Sequence, residues 1–410
     1  MMVRVIDNEQ EKYRKSEKLT RDKFLPTIEA VFKIATWFGI PTYGGNVAFS
    51  WALTTLAMLA AILTAAIWKL IRLLAGLSQN NQNGKNRVSE RLSGSIFYGN
   101  ALLSLILSWI FVKKWRNISM KWLRLETHGL RLPPDMTIKR RVVLVSALIS
   151  AFAFVEHILS MISATGVHCP VEEYLERYVL SSHGFLLRQY EYTIWLAIPI
   201  FIMSKTATIL WNFQDTIIIL ISMGLTSRYY RMNSFVKRVV GNEKRAEKDK
   251  KLGSPYCFKI NNWRKIRQAY VRQAALVRRI DMDLGALVLL STLNNLYFIC
   301  LQLFLGIRHI DGTLINKIYY FYSLGWLLFR ACSVVLSAAD IKLHSKRALS
   351  YLYICPSSVY NIEIKRLQDQ LSNDKIFLSG MGFFSLDRQK LLQVAAMIVK
   401  YELILLQYDS

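Results

Sequence analysis

A few polar side chains stand inside long apolar runs, where lipid would be expected. Glu156 and His157 lie side by side in the run 142–166, and Asn294 and Asn295 in the run 284–307. An ionisable residue within a membrane is a functional candidate by default, and Glu156 is the foremost one here. Asparagines at such depth either meet a ligand or hydrogen-bond between helices. The last run, 386–408, carries Gln393, Lys400 and Gln407 at steps of seven, which fall on nearly one face of a helix. A charge facing lipid at the centre of a spanning helix costs roughly 2.5–3.5 kcal/mol, so Lys400 and Glu402 forbid a helix bathed in lipid all round. Two readings fit such a stripe, a pore-lining helix and a last helix buried against its neighbours, and spacing leaves both open. Aromatic residues crowd two run starts: Tyr192 and Trp195 in one, and Tyr319, Tyr322 and Trp326, spaced to share one face, in the other. They fit a ligand wall or an interfacial belt.

Enzyme motifs are missing. The sequence has no HExxH, no GxSxG and no phosphate-binding GxxxxGK[ST], and none of its five cysteines forms a CxxC pair. His157, His168 and His183 are not at metal-ligand spacing. No enzymatic activity, metal or cofactor is expected.

The elements that must position these residues are membrane helices. The chain has 410 residues, 53% of them hydrophobic and only 8 of them proline, and its mean hydropathy is +0.24. Seven apolar runs approach the ~20 residues that a spanning helix needs. The fold class expected is all-α: a polytopic membrane protein with seven transmembrane helices. Residues 1–45 read as a cytosolic N-terminal segment and 46–211 as spans one to four, followed by 212–283 as a helical cytosolic extension. Residues 284–339 read as spans five and six, 340–387 as a cytosolic connection with an anchor helix, and 388–410 as span seven and the C-terminus. The net charge of +25 sits between the runs. It therefore sets topology and does not indicate nucleic acid. The tail and the loops after spans two, four and six hold most of the Lys and Arg, which predicts a cytosolic N-terminus and an external C-terminus. Asp215, Arg228, Arg231 and Asp340 fall on the predicted cytosolic helices and are expected to form salt bridges there.

The terminal residues Lys400-Tyr401-Glu402-Leu403-Ile404-Leu405-Leu406-Gln407-Tyr408 resemble the Thr-Tyr-(five hydrophobic)-Gln-Phe signature of insect gustatory receptors. Trp211-Asn212-Phe213-Gln214-Asp215, Ile221-Ser222, Arg228-Tyr229, Glu156-His157, Asn294-Asn295-Leu296-Tyr297-Phe298 and Ala338-Ala339-Asp340 are similar to the sugar-receptor (sweet-taste) branch. The resemblance covers essentially all the membrane part. It implies a ligand-gated, non-selective cation channel passing Na+, K+ and Ca2+ in the plasma membrane of a gustatory receptor neuron. It also implies a homotetramer, or a heteromer with related subunits. The seventh helices would line one pore, with Leu406, Gln407 and Tyr408 at its narrow point or gate. Lys400 replaces the family Thr and Tyr408 the closing Phe. A lysine ring would oppose cations, so either Lys400 turns away or this subunit conducts poorly alone.

The implied ligand is a sugar, a mono- or disaccharide. It needs hydrogen-bonding side chains beside flat rings in a concave site reachable by water. Glu156, His157, Tyr192, Trp195, Asn294, Asn295, Tyr297, Tyr319, Tyr322 and Trp326 are expected to supply these among spans two to six. A metabotropic seven-helix receptor and a non-conducting partner subunit stand as alternatives. A secondary transporter would show internal repeats and broken helices, and neither is found.

Overall fold

The computed structural model describes residues 23–41, 45–75, 84–127, 130, 132–248, 260–308, 313–389, 391–396 and 400. In chain order its helices are α1 (Phe24–Ala35), α2 (Asn46–Leu74), α3 (Gly84–Thr127), α4 (Ile138–Thr165), α5 (Val171–Ser182), α6 (Ile194–Lys248), α7 (Ile260–Arg308), α8 (Leu314–Lys346), α9 (Ala348–Leu352) and α10 (Ile362–Asn373). Among the described residues six helices, α2, α3, α4, α6, α7 and α8, are long and apolar enough to cross a membrane. Of the expected seventh, residues 388, 389, 391–396 and 400 are helical, and Lys400 is exposed. Leu406, Gln407 and Tyr408 lie outside the described residues.

Burial separates the helices by role. Of the most apolar window, 11% is buried in α4 and 17% in α2, against 50% in α3. α2 and α4 therefore offer their apolar sides to lipid, which is as apolar a solvent as a leucine side chain. α3, α6 and α7 form the interior.

α6 has 55 residues and α7 has 49, so at 1.5 Å per residue they are about 83 and about 74 Å long, far more than a ~30 Å hydrocarbon core. Positions 211/212 and 283/284, where the sequence suggests that membrane ends and extension begins, fall inside continuous helix. The projecting halves of α3, α6 and α7 build a second bundle with α1, α9 and α10. In α1, Phe24, Ile28 and Phe32 recur at steps of four and are fully buried. Phe24 stacks on Trp122 of α3 at 4.9 Å, and Phe32 meets Trp115 edge-on at 5.5 Å. A Cβ at Gly224 of α6 would lie 2.2 Å from the Phe24 ring, so only glycine lets α1 lie this close.

Ion pairs hold this bundle as expected for three of four residues. Arg228 and Arg231 reach Glu126 at 2.5 and 2.7 Å, and Arg388 reaches Asp340 at 3.0 Å. Asp215 is the exception. It lies not in the extension but beneath the helix bundle's cavity, paired with Arg330. Its helix carries no Gly or Pro break near 212 to mark where the membrane part ends.

The chain between α10 and the terminal helix is pinned twice. Ser379 donates to Asp281 of α7 through its backbone N–H at 2.6 Å and its hydroxyl at 3.0 Å. Lys342 of α8 pairs with Asp387 at 3.2 Å. The loop that reads as polar chain at 167–191 contains α5. Its short apolar stripe, with Tyr178 and Val179 buried, follows Pro170, and Glu172 and Glu173 occupy the first turn where the helix dipole favours anions.

Candidate ligand site

Side chains from six helices converge on a cavity of about 340 Å³ near the α5 end of the bundle. Each helix contributes one face. On α8, Tyr319, Ser323, Trp326 and Arg330 follow at steps of four, three and four. On α6, Ser204, Thr208 and Trp211 follow at steps of four and three, with Asn212 next to Trp211. α4 adds Glu156, His157 and Ser160, and α7 adds Phe298 and Gln302. α3 contributes Ser93, Gly94 and Phe97 among others, and α5 closes the wall with Tyr178 and Ser182, followed by His183 and Phe185. The lining alternates hydroxyl, amide and charged groups with flat rings. Trp326 is stacked on Phe152 at 5.4 Å, and Trp211 lies 4.7 Å from Phe298.

Glu156 is fixed by α8: Ser323 donates to its Oε1 at 2.7 Å, and Gln302 donates to Ser323 at 2.9 Å. The floor is a buried ion pair. Arg330 is 2% exposed and Asp215 is fully buried. The Arg330 Nε lies 2.7 Å from Asp215 Oδ2, as an ion pair and off the hydrogen-bonding direction. Its Nη1 donates to Asn212 at 2.6 Å, and the guanidinium lies 4.6 Å from the Trp211 ring centre. Asp215 also accepts from Ser291 at 2.5 Å and from Asn295 at 3.2 Å. Trp211 donates to Asn295 at 3.1 Å. Both Asp215 oxygens accept hydrogen bonds and both Nη groups of Arg330 donate, Nη2 to Asn295 at 3.4 Å, while Nε faces the carboxylate as an ion pair only; a buried charge needs such partners.

A strap, residues 183–193, covers the site. A Cβ at Gly94 would lie 2.4 Å from the Phe185 ring, so that glycine lets the strap close. Lys69 of α2 donates to the Leu186 carbonyl and to Glu191 Oε2, each at 2.5 Å. Burial opposes the Glu191 charge, but the hydrogen bonds from Lys69 and the Arg188 backbone N–H outweigh it and hold the carboxyl below its ordinary 4.5. A depressed carboxyl stabilises the strap in full above its ordinary value, and the contribution is lost as pH falls through the lowered folded-state value. Lys69→Met should therefore raise hydrogen exchange in 183–193 at neutral pH, and acidification through the lowered Glu191 value should loosen the wild type in the same segment. Unchanged exchange in Lys69→Met would show that the strap holds without this contact. His183, 4% exposed, is pushed down to about 4 by burial and then by the Lys205 charge, so its imidazole is neutral.

Four of the ten expected ligand residues meet in this cavity: Glu156, His157, Tyr319 and Trp326. Asn295 lies just beneath it in the Asp215 network. Asn294 is buried, with no hydrogen-bond partner for its amide among the described residues. Tyr322 turns its hydroxyl to the Phe152 carbonyl at 3.1 Å. Tyr297 is half-buried against Phe298, which takes the wall position. Tyr192 is half-buried outside the wall, and Trp195 is 81% exposed, the setting of an interfacial tryptophan. The sequence reading missed Arg330, Gln302, Tyr178 and His183 in the wall. The rule that singled out Glu156, an ionisable group at membrane depth, would also have found Arg330.

The arrangement of these helices matches that of a solved insect receptor. The insect olfactory receptor OR5 from Machilis hrabei superposes with a TM-score of 0.67, over 94% of this chain and all of that one, at 12% identity. OR5 in complex with eugenol matches equally well, at 11% identity. The chain belongs to the trehalose-receptor family of insect gustatory receptors, whose family model matches residues 6–410. It is 30% identical over 334 residues to the Drosophila melanogaster gustatory receptor for sugar taste 64a, covering 78% of this chain and 70% of that one. It is 28% identical over 317 residues to the gustatory receptor 5a for trehalose of the same fly, covering 75% of this chain and 67% of that one. Against the receptor for sugar taste 64f it is 27% identical and spans 65% of that relative's length.

Proposed function

We propose that the chain is a sugar-gated, non-selective cation channel of the plasma membrane, serving sweet taste in a gustatory receptor neuron. The observation that carries this reading is the cavity, where carboxylate, amide and hydroxyl groups alternate with aromatic faces in a volume suited to a mono- or disaccharide. The relatives named for sugar taste and for trehalose support the ligand class, and the OR5 fold supports a shared architecture. The charge distribution supports a cytosolic N-terminus, so the α5 end faces outside and the α9–α10 bundle is cytosolic. Four copies would enclose one pore along residues 388–410, with Leu406, Gln407 and Tyr408 at its narrowest part and Na+, K+ and Ca2+ as permeant ions. Sugar opens the pore to the extent that it binds the open state more tightly. The pins at Asp281 and Asp387 offer α7 and α8 a hold on the terminal helix.

One observation favours a second reading. Lys400 is exposed on its helix, and a ring of lysines would repel cations. In that case the chain is a poorly conducting subunit that works beside a related one.

The test is current recorded from cells expressing the chain alone under a panel of mono- and disaccharides. A sugar-dependent cation current is the expected result. Silence from surface-expressed protein, reversed by Lys400→Thr or by a related subunit, would establish the second reading. Silence in every arrangement would overturn both.

A further inference from the structure

Beside the cavity stands an amine with no carboxylate partner among the described residues. The Lys205 ammonium is buried, lies 4.0 Å from the Tyr178 ring centre and 4.3 Å from that of Phe201, and has no hydrogen-bond partner among the described residues. No described carboxylate forms an ion pair with it. It is the charged neighbour of both His157 and His183. Those two imidazoles line the cavity, and each has a buried nitrogen, His157 Nε2 and His183 Nδ1, without a hydrogen-bond partner among the described residues. His183 is 4% exposed. The hydroxyls of Ser182, Ser204 and Tyr178 border the same corner. The carboxylates of the wall are Glu156, turned towards Ser323 and Arg330 of α8, and Glu90 of α3, whose Oε1 stands beside Gly184, next to His183. The corner is thus rich in potential donors and lies beside an amine that no described carboxylate pairs.

We infer that this corner is an anion-accepting subsite, and that the receptor takes sugars bearing a carboxylate, such as uronic acids, in preference to their neutral counterparts. The inference rests on the reading of the cavity as a sugar site. The imidazole N–H groups and serine hydroxyls hydrogen-bond the carboxylate. Lys205, behind the Tyr178 ring, supplies the opposite charge in a medium of low dielectric, where charge pairs interact far more strongly than in water. The aromatic faces on the ammonium meet part of its need for a partner, and the ligand's anion meets the rest. The remainder of the sugar reaches towards Glu156 and Trp326.

The experiment is binding to the purified full chain in detergent, comparing D-glucuronate with its methyl ester, which has the same ring and no charge, and with D-glucose. Glucuronate is expected to bind about tenfold tighter than the ester in the wild type. Lys205→Met should bring that ratio to about one, and Lys205→Arg should retain it. If Lys205→Met does not yield a monodisperse protein, His183→Gln, which should lower the ratio several-fold, takes its place. A wild-type ratio at or below one, with glucose bound, overturns this inference and leaves the sugar site standing. A preference that survives Lys205→Met also overturns it. Failure of all three sugars to bind the wild type overturns the inference together with the sugar reading beneath it.

Discussion

Arg330→Met is expected to be among the most damaging single substitutions in the membrane part of the chain, and adding Asp215→Asn is expected to recover much of the loss. The methionine keeps the length of the Arg330 stem but removes the guanidinium. Asp215 then stays fully buried with Ser291 and Asn295 as hydrogen-bond donors and no positive charge. Removing one partner of a buried ion pair typically costs about 3–5 kcal/mol, whereas replacing both by uncharged groups is often close to neutral. Asn212 and Asn295 also lose a donor, so the loss reaches the cavity floor and the Trp211 face above which the guanidinium lies. The apparent melting temperature in detergent should fall by roughly 5–10 °C for Arg330→Met, at 2–4 °C per kcal/mol or somewhat less in a chain of this length. It should return most of the way in the double variant. Unfolding of such proteins is commonly irreversible, so all variants are heated at one rate. A double variant whose loss equals the sum of the two single losses would mean that the two residues contribute independently and that the pair is not the unit holding the floor.

Legibility from sequence followed the physics of each signal. Six spanning helices were readable because hydrocarbon demands long apolar runs, and hydropathy measures that demand directly. The face that a polar residue takes was not. Asn295 and Glu156 give the same signal of a polar group at membrane depth, yet one supports Asp215 and the other lines the cavity. Tyr319, Tyr322 and Trp326 are spaced to share a face, but Tyr322, at the edge of that arc, finds the Phe152 carbonyl instead of the cavity. Trp195 satisfies the rule for interfacial aromatics as well as the rule for ligand walls, and its exposure decides for the first. α5 was hidden for another reason. Its 12 residues bury one short stripe against tertiary partners, a gain that local periodicity in a charged loop does not reveal. Asp215 was misplaced because helix α6 runs unbroken from the membrane part into the extension, leaving no breaker to mark depth.

Glu156→Gln tests the cavity itself, with folding held constant as far as one substitution allows. Glutamine is nearly isosteric, and its side-chain oxygen can accept from Ser323 as the carboxylate does at 2.7 Å. The chain from Gln302 through Ser323 to position 156 therefore survives, and no partner is left without an acceptor. What changes is the charge and the number of acceptor lone pairs offered to a ligand. Hydrogen bonds to a charged group contribute about 1.5–3 kcal/mol against ~1 for neutral pairs, so losing the charge on one or two sugar hydroxyl contacts corresponds to a shift of roughly 5- to 50-fold. The half-maximal sugar concentration should rise by that factor, with surface expression and melting temperature close to those of the wild type. The comparison with Ser323→Ala sharpens the test. Ser323 positions the carboxylate, so its loss should weaken sugar response less than Glu156→Gln does. If Glu156→Gln responds to sugar at unchanged concentrations, Glu156 serves only to tie α4 to α8, and the ligand lies elsewhere in the cavity.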